Sequence, residues 1–488
     1  MESVVGAAAS MDGRSSSAET SLLSLTELLA ATDGALVLGC SEEDFCFTSV
    51  ATDSRSAVAG GMFIPLVGEF QDGHGYIPAA LERGATVVLV SRGFAASSSE
   101  QLARWHCSYP GSTFVAVDHT MYALQAAAAT YVQKFPNLIR IGITGSSGKT
   151  TTKEMLGSIL SQKFSVVMNQ GNLNSETGLP LSVFQIRSHH QVGVFELGMN
   201  RCGEMAEIAS VLAPQLAVVT NIGSAHIGIL GSREAIAQEK KQLFFCLPAD
   251  GCAFIPELDD FRSFLRDRLK CRVEEYGPSQ LESVRSLGLE GTRFTLAGRE
   301  LLVPLPGRAN LYDALAAVAV ARHLGLELEE IKAGLAAVEP LFGRSQVIHG
   351  DITLVQDCYN ANPDSMTAAL DFFCDLELES GRKVLVLGDM LELGEESLRA
   401  HSRAVDQAQR TGAAMVLFLG DEMSGAACGL CNREGMRVAA LEGRDQETIG
   451  KAVDLLRSFL RRGDVVLLKG SRGMGLERIS SALLGGAA

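Results

Sequence analysis

The stretch LIRIGITGSSGKTTTKEML, Leu138 to Leu156, decides how the middle of this chain is read. Leu138, Ile139, Ile141 and Ile143 form a short apolar run that ends at a glycine turn, the pattern of a strand. Gly145 and Gly148 tolerate the torsions that let backbone N–H groups, including those of Ser146 and Ser147, close around phosphate oxygens. Lys149 then reaches the β/γ phosphates of a nucleoside triphosphate, and Thr150 offers a hydroxyl to Mg²⁺, with Thr151 beside it. A helix over Thr150–Phe164 turns its N-terminal dipole to the same anion. The loop is short, because Ile143 stands six residues before Lys149, where the usual phosphate loop has glycine. A glycine turn before a surface lysine is the competing reading. The agreement of strand, loop, Lys-Thr pair and helix weighs against it.

The rest of the chain sets the frame for that loop. Its 488 residues suffice for two or three domains, each with its own core. A hydrophobic share of 47% against 20% charged is that of a globular protein. No apolar run is long enough to span a bilayer, so no membrane insertion is expected. Forty-two basic against fifty-seven acidic residues give a net charge of −15, which argues against a nucleic-acid partner. Residues 1–20, rich in Ser, Ala and Gly, read as a disordered leader without the basic start and apolar core of a signal peptide, and Met11 is an alternative start. Eleven scattered cysteines in a chain without a secretory signal fit reduced, buried thiols in a cytoplasm. Cys428 and Cys431 form one Cys-x-x-Cys pair. No second pair or histidine cluster at zinc spacing accompanies it.

Three parts follow from the patterning. Residues 21–137 carry short strands and turns, as in TSVATDSRS and GATVVLVSR. Residues 138–340 alternate strands such as QVGVFELG, QLAVVTNIG and GCAFI with helical stretches, the signature of a parallel sheet with crossover helices. The helical pattern breaks around EPLFGRSQ, Glu339 to Gln346. From 341 to 488 the strands ITLVQD, RKVLVLGD, AMVLFLGD and DVVLLKG alternate with amphipathic helices, one of them through Lys451–Leu460, which predicts a doubly wound sheet. The expected fold is therefore α/β in three domains: a small N-terminal α/β domain, a central P-loop domain with a mostly parallel sheet, and a C-terminal Rossmann-like domain.

Further candidate ligands sit at strand ends of the middle part. Glu196 closes VGVFEL at the carboxyl edge, where open α/β sheets bind ligands. His226 lies in the loop TNIGSAHIG. Glu196 alone fits a metal ligand and a solvated strand-end carboxylate equally, and His226 alone reads as a satisfied loop histidine. Beside a phosphate loop, the pair suggests a second metal ion. A guanine-selecting Asn-Lys-x-Asp element is absent, so a regulatory GTPase is not indicated.

The TGSSGKTT loop, the FELGMN strand end, the TNIGSAHIG loop and SREAIAQEKKQLFFCLP, in that order, resemble the Mur ligases, the ATP-dependent amino-acid and peptide ligases of peptidoglycan precursor synthesis. The resemblance implies that Lys240, by sequence alone a solvated helix lysine, is carbamylated into a metal ligand. DCYNANPDSM (Asp357 to Met366), LGDMLELGEES (Leu387 to Ser397) and LLKGSRGMGLE (Leu467 to Glu477) are similar to motifs of the family member that adds D-alanyl-D-alanine. TDSRSAVAGGMFIPLVGEFQDGHGYI resembles the family's uridine-nucleotide part, with Ser54 and Arg55 beside Asp53, and Asp72 and His74 in its Asp-Gly-His element.

The resemblance implies ATP and two Mg²⁺ ions as cofactors, with Lys149, Glu196, His226 and Lys240 catalytic and Thr150, Glu196, His226 and Lys240 holding the metals. It implies UDP-MurNAc-tripeptide and D-Ala-D-Ala as substrates of a cytoplasmic monomer. Arg344 is expected to reach the nucleotide from the C-terminal part. Asp357, Tyr359, Asn360 and Asn362, with Lys469 and Ser471, are expected to line the pocket for nucleotide and dipeptide. Asn310 keeps one position of a family His-Asn-x-x-Asn pattern, whereas Ala309, Asp313 and Pro256 depart from the family and put the adenine contacts in question. Two other readings share the nucleotide site: another amide ligase of this fold, such as a folylpolyglutamate synthase, and a non-catalytic nucleotide-binding scaffold. DCYNANPDSM counts against the first, and the intact set of Lys149, Thr150, Glu196, His226 and Lys240 against the second.

Overall fold

A computed structural model describes residues 21–40, 46–68, 71–433 and 435–485. The leader expected over 1–20 lies outside the described residues. By contacts the chain divides into two compact units. The first comprises Met1–Leu138, Asn169–Gly193 and Ser210–Ala213; the second takes Ile139–Met168, Val194–Ala209 and Pro214–Ala488.

The first unit is built on a five-stranded sheet of β1 (Ala35–Leu38), β2 (Val50–Ala51), β3 (Met62–Phe63), β4 (Val87–Ser91) and β5 (Thr113–Val117), in the order β1-β5-β4-β3-β2. Only β1 runs antiparallel to its neighbour. VVLV of β4 and TFVAV of β5 are buried along their whole length, as central strands covered on both faces must be. The segment Asn169–Gly193 adds the helix Gly178–Val183, and the Tyr131 hydroxyl donates to the Ile186 carbonyl at 2.7 Å.

The central sheet contains β6 (Ile139–Thr144), β7 (Val166–Met168), β8 (Val192–Glu196), β9 (Leu216–Val219), β10 (Cys252–Pro256) and β11 (Arg272–Tyr276), in the order β11-β10-β9-β6-β8-β7. The strands β11, β10, β9 and β6 run parallel, so their carboxyl ends share one edge. The helix after β6 spans Lys149–Leu160, one residue earlier and a turn shorter than the sequence suggests. A small antiparallel sheet follows, β12 (Leu281–Ser286), β13 (Thr292–Leu296) and β14 (Arg299–Val303). It escapes the sequence reading because LESVRS of β12 is mostly exposed and carries no apolar alternation.

The last sheet holds β15 (Gln346–Ile348), β16 (Thr353–Asp357), β17 (Lys383–Gly388), β18 (Met415–Leu419), β19 (Arg437–Leu441) and β20 (Val465–Lys469), in the order β15-β16-β20-β17-β18-β19. All neighbours are parallel except β15. Alternate residues of β17 serve opposite cores. Leu385 and Leu387 pack with Met366, Leu370 and Phe373 of the helix Pro363–Asp375, whereas Val384 and Val386 pack with Ile449, Val453 and Leu456 of the helix Gln446–Phe459. Helices on both faces make this the doubly wound sheet the sequence predicts.

The cysteines correct one expectation. None is in a disulfide, yet only Cys252 and Cys358 are buried, and Cys428 and Cys431 are exposed. A thiol is small and weakly polar enough to sit at a surface helix end at little cost.

Candidate active site

The phosphate loop is held by the loop that follows β9. Gly145 has φ +156° and Gly148 has φ +78°, and a Cβ at Gly148 would lie 2.0 Å from Asp313 Oδ1. Asn221 Oδ1 accepts the N–H groups of Ser146 and Ser147 at 3.1 and 3.0 Å, and Asn221 Nδ2 donates to Ser147 Oγ at 2.8 Å. Thr220 Oγ1 donates to the Ser147 carbonyl at 2.5 Å, and Ser146 Oγ accepts from Gly223 N at 2.8 Å. Ser146 and Ser147 were expected to turn their N–H groups to phosphate. Those donors instead serve Asn221, which fixes the loop's shape. The N–H groups of Lys149, Thr150 and Thr151 open the helix and have no carbonyl four residues behind them inside it. Thr220 and Asn221 were not singled out from sequence, although both belong to the TNIGSAHIG motif.

Four polar side chains converge where β6 and β8 end. Thr150 Oγ1 donates to Glu196 Oε2 at 2.6 Å, with Glu196 3% exposed. Lys149 Nζ donates to the Gly145 carbonyl at 2.7 Å. Burial lowers the Lys149 pKa, and Arg344 lowers it further, against the pull of Glu196 and Asp313. Lys240 comes from the helix Arg233–Phe245, started by Ser232 Oγ accepting from Ala235 N at 3.1 Å. It is 1% exposed, not solvated as its sequence neighbourhood suggests. The helix is covered on more than one side: Glu239 accepts the Gly203 and Met205 N–H groups at 2.9 Å each, and Lys241 donates to the Phe264 carbonyl at 2.6 Å. Burial drives the Lys240 pKa well below its ordinary value, and Lys149 pushes the same way.

His226 has φ +64°, a left-handed conformation that costs a histidine of the order of 1 kcal/mol and orients its ring. Its Nδ1 is buried without a hydrogen-bond partner among the described residues; Glu392 Oε2 is 3.4 Å away, outside bonding geometry. Burial first, then Lys149 and Lys240, holds its pKa at about 4, so the ring is neutral at pH 7. A hydroxyl, a carboxylate and a neutral imidazole with an orphaned nitrogen are a donor set that fits a divalent cation. A Lys240 ammonium would repel that cation.

The other predicted residues divide into those turned to the site and those spent on structure. Asp313 is 7% exposed against Gly148, and burial pushes its pKa up to about 8 despite Arg344 and Lys149 nearby. Asn310 Nδ2 donates to the Pro306 carbonyl at 2.7 Å, fixing the start of the helix Arg308–His323. Arg344 lies over the Tyr359 ring at 4.2 Å, and Arg472, which the sequence reading missed, lies 5.8 Å from the same ring. Lys469 is 2% exposed and pairs with Asp357 Oδ2 at 2.8 Å across the ends of β20 and β16, while donating to the Asn360 carbonyl at 3.1 Å. Asn362 caps the helix Pro363–Asp375 through Ser365 N at 2.8 Å, and its Nδ2 lies 3.5 Å from the Ser146 carbonyl. Ser471 Oγ accepts from Leu391 N at 2.9 Å. Asp364, also missed, accepts from Ser224 N and Oγ at 2.6 and 2.7 Å and so ties the loop after β9 to this helix.

In the first unit, Asp53 accepts Arg55 N at 2.9 Å and grips its guanidinium through Nε at 3.0 Å and Nη2 at 2.6 Å. The Arg55 side chain is 85% exposed, so the charge is braced and presented outward. Ser54 is buried in the same turn. His74 is used inside the fold: its Nδ1 lies 2.5 Å from Asp72 Oδ1, its Nε2 accepts Ser91 N at 3.0 Å, and its ring stacks on Phe94.

Comparison with known proteins adds to this geometry. The Mur ligase middle domain matches residues 143–321, and the Mur ligase glutamate ligase domain matches 343–472. The UDP-N-acetylmuramoyl-tripeptide–D-alanyl-D-alanine ligase of Treponema pallidum is 43% identical over 466 residues, covering 95% of this chain and 99% of the relative. The crystal structure of MurF from Acinetobacter baumannii superposes with a TM-score of 0.83 at 30% identity, covering 94% of this chain and 98% of that one. MurF ligase from Thermotoga maritima, solved in complex with ADP, has a TM-score of 0.73 at 25% identity, with 90% and 97% covered.

Proposed function

The chain belongs to the Mur ligase family, and from that premise we propose that it joins D-alanyl-D-alanine to UDP-N-acetylmuramoyl-tripeptide at the expense of ATP. The observation that carries the reading is the Thr150–Glu196 hydrogen bond beside buried Lys149, with Arg344 close enough to depress the Lys149 pKa. A helix start suited to phosphate and an arginine from the following segment, close to one lysine, support that reading. The ADP bound to the Thermotoga maritima relative supports a nucleotide at this loop.

The chemistry follows from charge. A carboxylate is a poor acyl donor, because an amine attacking it would have to expel oxide. Transfer of the ATP γ-phosphoryl group to the tripeptide carboxylate gives an acyl phosphate and ADP. The dipeptide amine then adds to the acyl carbon, and the tetrahedral intermediate expels phosphate to leave the amide. Lys149 and the first-turn N–H groups balance charge on the transferring group. Thr150, Glu196 and His226 would hold Mg²⁺, which supplies charge neutralisation and in-line positioning of the phosphates. Lys240 would join that set as a carbamate: burial disfavours its ammonium, and the neutral amine adds to CO₂ with loss of one proton to become an anion. Arg55, braced by Asp53, suits the substrate diphosphate. Tyr359, Asn360 and the Lys469–Asp357 pair line the side from which the dipeptide approaches.

In this reading 21–137 binds the uridine nucleotide, 138–340 binds ATP, and 341–488 brings the dipeptide and closes on ATP to exclude water. The protein acts as a monomer in the cytoplasm. Among the described residues no helix is long and apolar enough to cross a membrane. The test is phosphate release with Mg-ATP, UDP-MurNAc-tripeptides and D-Ala-D-Ala, each omitted in turn. Release that needs all three, with UDP-MurNAc-pentapeptide found by mass, supports the assignment. ATP binding without release under any combination overturns it.

A further inference from the structure

On the central sheet, β10, β11 and the end of the helix Arg308–His323 bring three ligating side chains to one point outside the phosphate loop. Cys252 opens β10, Glu274 is the third residue of β11, and His323 is the last residue of the helix. In the parallel register Cys252 faces Arg272 and Phe254 faces Glu274, so Cys252 and Glu274 lie on one face of the sheet. One ligand atom from each of Cys252, Glu274 and His323 falls within 4.8 Å of the other two. Among the described residues no other three His, Cys, Asp or Glu side chains meet this way.

The sequence conceals the group because its members are spread over 72 positions of the chain, with no Cys-x-x-Cys or His-x-x-x-His spacing. Their proximity arises from strand pairing alone. His323 Nδ1 lies 2.9 Å from Glu274 Oε1, and the ring meets Phe254 edge to face at 5.5 Å, which fixes its plane. Arg272 Nη2 also lies 2.9 Å from Glu274 Oε1, but its side chain is 68% exposed and is free to turn to solvent. A simple His–Glu ion pair at a helix C-terminus accounts for two of the three groups. It leaves out the third member, the buried Cys252 thiol beside the carboxylate.

We propose that Cys252, Glu274 and His323 form a binding site for a thiophilic divalent cation, zinc in the first instance, which clips edge strand β11 and β10 to the helix Arg308–His323. The donor set is thiolate, imidazole and carboxylate, with water completing a tetrahedron. Zinc bonds of about 2.0–2.3 Å put tetrahedral ligand atoms about 3.3–3.7 Å apart, between the 2.9 Å His–Glu separation and the 4.8 Å limit of the group. Shifts of about an ångström therefore close the site. On binding, the Cys252 Sγ–H bond breaks, the proton leaves to solvent and the thiolate takes the metal. Zinc neither gains nor loses electrons.

The experiment uses the full chain stripped by chelator and titrated with Co²⁺ in excess Mg²⁺. The phosphate site contains no cysteine, so a thiolate-to-cobalt charge-transfer band separates a cysteine site from the Mg²⁺ sites, and Cys252→Ser assigns it among the eleven free cysteines. The expected result is a saturating band at one equivalent, abolished by Zn²⁺ and absent in Cys252→Ser. In His323→Gln, a change at a helix end that spares the sheet, Co²⁺ affinity falls at least ~10-fold, and the rise in melting temperature given by Zn²⁺ disappears. No band in the unmodified protein overturns the proposal. So does a band that survives Cys252→Ser and is lost in the Cys428→Ser, Cys431→Ser double variant. If Cys252→Ser does not fold, unchanged Co²⁺ affinity in His323→Gln overturns it equally.

Discussion

Asp313 shows how much a single side chain behind a phosphate loop can decide. Its carboxyl stays protonated to about pH 8 because burial outweighs Arg344 and Lys149. The folded pKa is raised, so its contribution to stability is complete below the unfolded value near 4 and is lost as pH climbs toward 8. Asp313→Asn keeps the shape and removes the titration. Relative to that variant the unmodified protein should lose about 1–4 kcal/mol between pH 5 and 8, read by urea unfolding. A difference independent of pH would show that Asp313 ionises normally. Lys240 offers the kinetic counterpart: Lys240→Ala should cut turnover at least ~10²-fold, with partial rescue by short-chain carboxylates in place of the proposed carbamate. Normal turnover in that variant would remove Lys240 from the site. The sequence showed Lys149, Thr150 and Glu196 through their motif, but it could not show that Lys240 is buried, because its helix carries charge on more than one side.

At the scale of elements, the loop between β6 and its helix depends on backbone torsions that only glycine adopts cheaply. Gly148→Ala forces a side chain into a left-handed residue and against Asp313, so it should cost about 1–3 kcal/mol and weaken nucleotide binding. Gly425 is the useful contrast. It lies in the helix Asp421–Ala426, with nothing within 4 Å of an added Cβ. Gly425→Ala should therefore stabilise by about 0.4–1 kcal/mol, and denaturant midpoints of the two variants should move in opposite directions. Asp364→Ala removes the anchor of Ser224 and, being exposed, should cost only about 0.5–1.5 kcal/mol. The strands of both large sheets were legible as apolar runs because parallel strands are covered on both faces. The antiparallel sheet of β12–β14 was not, because β12 is mostly exposed and lacks apolar alternation. Asn362 and Asn310 stand out in the sequence by position, and each spends a side-chain atom on a helix start.

For the whole molecule, the doubly wound C-terminal sheet and the central phosphate-binding sheet followed from periodicity. The packing of Asn169–Gly193 did not, because who packs on whom is not set by order along the sequence. The segment Asn169–Gly193 leaves the central sheet after β7 and returns at β8, and in between it buries Leu179, Val183, Phe184 and Ile186 within the first unit. Phe184 packs 5.3 Å from the Tyr131 ring, and Arg187 donates to the Phe184 and Ile186 carbonyls. This has a practical consequence for anyone who cuts the gene. A fragment ending at residue 138 would omit part of its own interior, and one starting at 139 would carry four greasy side chains with nowhere to go. Both should be recovered as insoluble material. Co-expressed pieces split at the exposed turn 428–429 should reassociate, because that cut leaves Asn169–Gly193 intact.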